Sequence, residues 1–358
     1  MSKHSIRAVV ALAAAVTVTA GLGAQSSPAP SGGYQVPPKV IVDILDAAPT
    51  PTVIVGPNRQ TAALLEHRSM PGIAALAEPI HRIAGARINP RTNGRQQRAG
   101  DGIAITLKTL ADGADKKVVV PQNANVGALA FSPDGKQLAF TNTKTNGIEL
   151  WVADTATGQS RLISGADRLN AAAGEPCDWL EDSATVVCTT VPAGRGLAPM
   201  ESRVPAGPNV QENLGKASPA PTLEDMLKTK YDEDLFEYYF TSQVAAYEVA
   251  AGRRTPIGKP AIVESVAPSP NGEYLLVSKI KRPFSHLYSM SGFPKDVEVW
   301  TRRGDLAKKI ADVPTSEGIP INGVLTGPRQ YRWRPDQPAT LTWVEALDEG
   351  NPRNAAPY

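Results

Sequence analysis

A turn phrase, repeated along the chain with apolar runs on both sides, limits the fold more than any other feature. It is clearest at Ala128-Leu-Ala-Phe-Ser-Pro-Asp-Gly-Lys-Gln-Leu-Ala-Phe140. Pro133 presets φ at the first corner of a tight turn, and Asp134-Gly135 supply the polar, permissive residues that follow. Leu129 and Phe131 before it, and Leu138 and Phe140 after it, alternate with alanines. A period of two is the mark of a strand, so the stretch reads as strand, turn, strand. The phrase returns at Val266-Ala-Pro-Ser-Pro-Asn-Gly-Glu-Tyr-Leu-Leu-Val277. Looser copies start at Ile54, Asp178 and Arg332. A strand pair announced five times predicts an all-β chain of repeated antiparallel units.

The repeat spacing leaves room for four strands per unit, as in a β-propeller of four-stranded blades. Val126 to Ile163 reads as one complete blade, closed by Gly147-Ile-Glu-Leu-Trp-Val152 and Gln159–Ile163. Gly102 to Leu110 reads as an outer strand. About five blade openings are countable; that the propeller is incomplete is what the resemblance set out below implies. The frequency of turns agrees: 358 residues hold 32 prolines and 30 glycines.

Four regions follow. Residues 1–24 read as a signal peptide, with Lys3 and Arg7 before an apolar run from Ala8 to Ala20, and with Ala20 and Ala24 as cleavage positions. The run is too short for a stable membrane anchor, so no membrane contact is expected after its removal. Residues 25–33 read as a flexible linker and residues 34–358 as the partial propeller, with an insertion at 191–240. In that insertion Thr222-Leu-Glu-Asp225 resembles a capping box and predicts the one short helix, to about Tyr231. The exported chain would be periplasmic or secreted, in an oxidising compartment.

There are two cysteines. With Asp182-Ser183 as a two-residue turn, Cys177 and Cys188 fall opposite each other. A disulfide and a pair of buried free thiols are evenly balanced readings. A zinc site built of cysteines is excluded.

Residues that carry chemistry are scarce. Asp134, Asn271 and Asp336 are explained by turn formation. Asp232-Glu-Asp234 reads as a solvated acidic face behind the helix. Arg303-Gly-Asp305 matches an adhesion tripeptide but sits in a predicted turn. His4 leaves with the signal segment, and His67, His81 and His286 share no metal spacing. No Gly-x-Ser-x-Gly elbow and no glycine-rich phosphate loop occurs. No catalytic, cofactor-binding or metal residue is assigned, and no cofactor is expected. A net charge of +2 gives no electrostatic reason to expect a nucleic-acid partner.

Several stretches carry a resemblance. They are Tyr34-Gln-Val-Pro-Pro-Lys-Val-Ile-Val-Asp-Ile-Leu-Asp46, Leu76-Ala-Glu-Pro79 with Ala84-Gly-Ala-Arg-Ile-Asn-Pro90, and Gly207-Pro-Asn-Val-Gln-Glu212. Further along come Asp234-Leu-Phe-Glu-Tyr-Tyr239, Phe293-Pro-Lys-Asp-Val-Glu-Val-Trp300, Gly327-Pro-Arg-Gln-Tyr-Arg-Trp-Arg-Pro-Asp336 and Thr342-Trp-Val-Glu-Ala-Leu-Asp348. In order and over nearly the whole mature chain, they resemble the amino-terminal propeller of the prolyl oligopeptidase family of serine peptidases, in its glutamyl endopeptidase branch. The resemblance implies a propeller that limits peptide entry to an α/β-hydrolase domain carrying Ser, Asp and His. It stops inside the propeller, so it transfers no catalytic residue and no arginine for reading an acidic side chain.

The expectation is therefore a non-catalytic, substrate-gating propeller portion of an exported peptidase, truncated or split before its hydrolase domain. Alone it would be inactive. Its partners would be a peptide substrate or a complementing hydrolase-domain chain. Bare blade faces would make it marginal or partner-dependent. A stand-alone periplasmic propeller that binds a protein or peptide is the alternative, and a degenerate inactive fragment a third.

Overall fold

The turn at Ser132–Gly135 shows how the repeat works. Ser132 Oγ donates to Asp134 Oδ1 at 2.7 Å, which also accepts from Lys136 N at 3.0 Å. Asn271 repeats this in the second clear copy, accepting from Ser269 Oγ at 2.7 Å and from Glu273 N at 3.2 Å. Asn58 and Asp182 hold their turns in the same way, accepting from Gln60 N and Ala184 N. Short polar side chains satisfy the turn backbone, and the chain reverses into a strand pair.

The computed structural model describes residues 36–96, 102–202, 204, 223–320 and 322–356. The signal-peptide and linker readings lie outside the described residues. The chain divides into two units, Met1–Ala47 and Ala48–Tyr358. In the first, the described part carries helix α1 (Lys39–Leu45), which has no buried residue.

Blade 1 of the second unit begins with β1 (Thr52–Val55) and β2 (Thr61–His67). It is interrupted by α2 (Ile73–Leu76) and a small sheet, β3 (His81–Ile83), β4 (Ala86–Asn89) and β5 (Gly94–Arg95). It resumes with β6 (Gly102–Thr109) and β7 (Asp115–Lys117). Blade 2 is β8 (Val126–Phe131), β9 (Gln137–Lys144), β10 (Gly147–Asp154) and β11 (Ser160–Leu162). Blade 3 comprises β12 (Cys177–Trp179), β13 (Thr185–Thr190), then helix α3 (Lys230–Phe240), β14 (Thr241–Glu248) and the first part of β15 (Arg253–Pro268). The rest of β15 opens blade 4, which continues with β16 (Tyr274–Ile280), β17 (Lys295–Thr301) and β18 (Leu306–Val313). Finally β19 (Arg329–Trp333) and β20 (Leu341–Val344) form the opening pair of blade 5.

All of these pairings are antiparallel meanders. The sheets of blades 1 and 2 are joined by one register pair, Gly102 with Val126. Blades 3 and 4 share the long β15, whose Ile262 pairs with Thr241 of β14 and whose Val263 pairs with Lys279 of β16.

Alternation along the strands builds the core as layers between blades. On β9, Leu138 and Phe140 enter the layer between blades 1 and 2, while Ala139 enters the layer between blades 2 and 3. On β13, Val186 and Cys188 face blade 2 and Val187 faces blade 4. On β16, Leu275 and Val277 face blade 3, and Leu276 meets Tyr331, Trp333 and Leu341 of blade 5. Every central blade is thus apolar on both sides, which stacks blades side by side. The fold is all-β and propeller-like.

Two local expectations are corrected. Thr222 lies outside the described residues, but 223–228 are not helical and the N-cap of the helix is Thr229, whose hydroxyl accepts from Asp232 N while Asp232 accepts from Thr229 N. Asp225, whose pattern imitated a cap, is drawn away by Arg87, 2.7 Å from its carboxylate. Asp232 and Glu233 of the acidic run therefore lie in the first helical turn, where the helix dipole favours them. Likewise β6 is the third strand of blade 1, not an outer one. The exposed β7, which has no apolar pattern to betray it, covers its edge.

Candidate functional site

In a meander the first turn and the second lie at opposite ends of the strands. The insertions of blades 1, 3 and 4 all leave between the second and third strands, so they emerge on one face, opposite the Ser132–Gly135 type of turn. There they pack into a single cap. Ile83 and Ile88 of the small sheet, Phe236 and Phe240 of α3, and Phe284 and Phe293 of the blade 4 loop are all buried together. Phe236 is the hub, with ring centroids 4.5 Å from Phe240, 5.0 Å from Phe284 and 5.3 Å from Phe293. Arg282 fastens the loop to α3 through Glu233 at 2.5 Å and Glu237 at 2.7 Å.

A buried polar node joins the cap to the blades. Asn93, in the left-handed region at φ 59°, donates to Asn170 Oδ1 at 2.6 Å and to the Tyr239 carbonyl at 2.9 Å. Asn170 donates in turn to the Tyr239 and Thr241 carbonyls, each at 3.0 Å. Arg195 donates to Asn93 Oδ1 at 2.8 Å and lies 4.2 Å from the Tyr238 ring centroid. Loss of water around Arg195 pushes its pKa down.

Three of the cavities border the segment that runs from blade 2 into blade 3. The first, of about 730 Å³, is bounded by Leu76, Glu78, Arg95, Val126, Lys144 and Ala171 among others. The second, of about 800 Å³, includes Arg87, Arg95, Glu175, Glu224 and Asp225. Both are lined by Arg95 and Gln96. The third, of about 230 Å³, shares Pro176 with the first and contains Asp178 and Glu264. The cavities therefore follow the segment Ala171–Asp178, which leads into the first strand of blade 3. Their size suits a short stretch of peptide.

The charges on these walls are mostly compensated. Glu78 pairs with Arg91 at 3.3 Å, Lys144 with Glu149 at 3.0 Å, and Arg87 with Asp225 at 2.7 Å and Glu224 at 3.1 Å. Asp178 remains in contact with solvent in its crevice, but the surrounding walls strip enough water to push its carboxyl above the usual range. The Trp179 N–H, donating at 2.8 Å, opposes that shift. Arg95 donates from Nε to the Ala172 carbonyl at 3.2 Å and from its Nη2 to the Ala173 carbonyl at 2.8 Å.

The residues singled out from the sequence are scattered. Asp134 and Asn271 serve their turns, and Asp336 pairs with Arg334 at 2.5 Å. The Ser132 hydroxyl holds the Asp134 carboxyl below its usual pKa. His67 Nε2 meets the Thr52 hydroxyl at 2.8 Å, His81 lies 5.2 Å from the Tyr239 ring, and His286 meets Glu233 at 3.0 Å. The three sit in different places, and no catalytic relay joins them. Arg303-Gly-Asp305 is the turn between β17 and β18. There Gly304 adopts φ 92° against Gly258, and a Cβ would come within 2.0 Å of the Gly258 nitrogen. Cys177 and Cys188 are register partners and are bonded to each other. The four-residue turn Glu181–Ala184 that sets this register centres on Asp182-Ser183. Among the described residues no group of three or more His, Cys, Asp or Glu side chains is placed to hold a metal. The sequence reading missed Arg95, the cap and the Asn93 node. Only the left-handed preference of Asn in Thr92-Asn93-Gly94 signalled the last.

Fold and cavities define an all-β, propeller-type protein with a capped face. No family model matches the chain. By sequence it is a homologue of the glutamyl endopeptidases. It is 38% identical over 336 residues to a probable chloroplastic glutamyl endopeptidase of Oryza sativa subsp. japonica, covering 89% of this chain and 35% of that protein. The Arabidopsis thaliana protein of the same name is 37% identical over 332 residues, with 89% of this chain and 34% of the relative covered. The chain thus spans about a third of the length of these relatives. Among solved structures it is similar to an acylaminoacyl peptidase of Pyrococcus horikoshii, with TM-score 0.41, 14% identity and coverage of 75% of this chain and 33% of that one. It is also similar to the β-propeller domain of the Trilobed protease of Pyrococcus furiosus, with TM-score 0.38, 14% identity and coverage of 75% and 59%. The relationship itself rests on the sequence identity. No helix among the described residues is long and apolar enough to cross a membrane.

Proposed function

We propose that this chain is the non-catalytic propeller portion of a glutamyl-endopeptidase-like serine peptidase, gating peptides on their way to a hydrolase domain supplied by further polypeptide. The observation that carries this reading is the 38% identity maintained over 89% of the chain to relatives about three times as long in aligned terms. The cap and cavities support it, because they place two concave spaces of peptide size next to each other beside the cap. The outer layers support it too. Val53 and Val55 on β1 are 57% and 54% exposed, where their counterparts Leu129 and Phe131 in blade 2 are partly buried, and Trp343 on β20 is 48% exposed, where its counterparts Phe140 and Val277 are fully buried. Such faces suit further blades. We also propose that residues 1–24 direct export, from the basic start and the apolar run Ala8–Ala20.

The test combines the purified chain with a hydrolase-domain polypeptide carrying the Gly-x-Ser-x-Gly elbow, encoded beside it or taken from a relative. Cleavage of a Glu-containing peptide by the pair, and by neither alone, is the expected result. Absence of cleavage by a soluble, assembled pair contradicts the reading.

The cavities also favour a second reading. Their walls are supplied by this chain alone, so it would bind peptide without a peptidase partner. That reading expects a monodisperse chain that melts cooperatively on its own.

A further inference from the structure

We propose that the Cys177–Cys188 disulfide is a thiol-exchange site, a reducible latch on residues 171–176, the segment that walls the cavities. The latch belongs to this chain alone and is independent of the peptide-gating reading.

The segment is an excursion from blade 3. Leu169 bridges to Thr190 before it and β12 pairs with β13 after it, so both of its ends stand on the same strand. Asn170 N donates to the Thr189 carbonyl at 2.9 Å, and Thr189 N donates to the Pro176 carbonyl at 2.8 Å. Between those two feet the chain borders all three cavities described above. Ala171 and Pro176 line the first, Glu175 the second, and Ala173 and Gly174 the third.

The two feet are held by different chemistry. Asn170 is 3% exposed and is built into the polar node with Asn93 and the Tyr239 and Thr241 carbonyls. Arg95 grips the Ala172 and Ala173 carbonyls on that side, which makes it the pivot. At the other foot Pro176 has no N–H to give. The bond to its carbonyl flanks the Cys177–Cys188 pair, which puts the cysteines where facing residues exchange no backbone hydrogen bond. The covalent bond is therefore the tie at that position, and β12 adds only the register pairs of Asp178 and Trp179. Gly174 stands in open space, where an added Cβ would meet nothing within 4 Å, so a released segment has room to swing.

The bond is within reach of a reductant. Both cysteines line the cavity of about 230 Å³, with Cys177 partly buried and Cys188 1% exposed. One thiolate of an external dithiol attacks Cys177 Sγ, the Sγ–Sγ bond breaks, and Cys188 leaves as a thiolate and takes up a proton. The second thiolate of the dithiol displaces Cys177, which is protonated in turn, and the reagent departs as its own disulfide. Two electrons pass from the dithiol to the cysteine pair. The Cys188 thiol then sits as a small apolar group among Ala139, Val186 and Ala245, so the layer between blades 2 and 3 survives reduction.

The experiment treats the full chain with dithiothreitol in the absence of denaturant and follows amide exchange before and after. Iodoacetamide on a parallel sample counts the freed thiols. Both cysteines should be alkylated while the circular dichroism of the folded chain persists. Exchange at Thr189 and in β12 should quicken at least about tenfold and ignore low urea, the mark of a local opening, while β9 and β16 keep their urea dependence. The paired Cys177→Ser and Cys188→Ser variant should show the fast exchange with no reductant. If it fails to fold, the reduced wild-type chain carries the test. A bond that yields only in urea that unfolds the chain overturns the proposal. So does a quickening that runs in step with β9 and β16, or loss of the whole fold on reduction. No hydrolysis is read, so a failure of the hydrolase complementation leaves this result standing, and the reverse also holds.

Discussion

The indole N–H of Trp179 donates to the carbonyl of Ala130 at 3.0 Å, tying the first strand of blade 3 to the first strand of blade 2. Trp333 repeats the bond on Ala267 at 2.9 Å, between blades 5 and 4. In both places the tryptophan stands just before the turn and the alanine two residues before the preceding turn. A hydrogen bond inside an apolar layer fixes the register of one blade on the next, since leaving either group unpaired there is costly. Trp179→Phe keeps most of the packing and loses the bond, so it should cost about 1–2 kcal/mol. Trp179→Ala should cost about 3–5 kcal/mol. Urea unfolding of the two variants measures the difference.

Phe236 holds the cap together from three directions. Phe236→Ala should destabilise by about 3–5 kcal/mol if cap and blades unfold together. Amide exchange separates that outcome from a local one, in which α3 and the small sheet lose protection while β9 and β13 keep theirs.

The corrected helix start is also testable. Thr229→Ala removes the N-cap of α3 and should cost about 1 kcal/mol, with faster exchange at Asp232 and Glu233. Asp225→Asn should instead loosen Arg87 and the wall of the second cavity, and leave exchange in α3 unchanged.

Asp178 predicts a pH dependence of definite sign. Its folded-state pKa lies above the ordinary carboxyl value, because the crevice walls strip part of the water from the charge. Below the unfolded pKa, near 3.9, the group is neutral in both states and costs nothing. As pH rises through the folded value the native state must hold an unfavourable charge, and stability is lost. Asp178→Asn should therefore be more stable than wild type at neutral pH and equal to it at about pH 3. Paired melting curves across that interval give the answer.

The Cys177–Cys188 bond staples β12, which is three residues long and pairs with β13 alone. Reduction should lower stability by about 2–3 kcal/mol for so short a loop, seen as a lower melting temperature in dithiothreitol. The double serine variant should melt at the reduced value and ignore the reductant.

What could be read from the sequence was local. Pro133 with Gly135, and Pro270 with Gly272, fix turn geometry by their own backbone limits. Leu138 and Phe140 declare their face by alternation. The register of Cys177 on Cys188 followed from the turn between them. What could not be read was assembled from distant segments. The cap brings Ile83, Phe236 and Phe293 together from three insertions, none of which has a periodic pattern of its own. The helix was misplaced because Thr222 and Asp225 imitate a cap, while the partner that claims Asp225 stands 138 residues earlier in the chain. Arg95 carries no motif. Its place in the lining of both larger cavities is visible only in the fold.

The central claim is that this polypeptide gates peptides and performs no acyl transfer itself. A fluorophosphonate probe, which labels activated serines, tests it most directly when applied to the purified 358-residue chain alone and again with a hydrolase-domain polypeptide. The account predicts no label and no turnover of a Glu-containing peptide by the chain alone. In the mixture the label should fall on the added domain, with turnover. A label on a serine of this chain, with peptide cleavage in the absence of any second polypeptide, would contradict it.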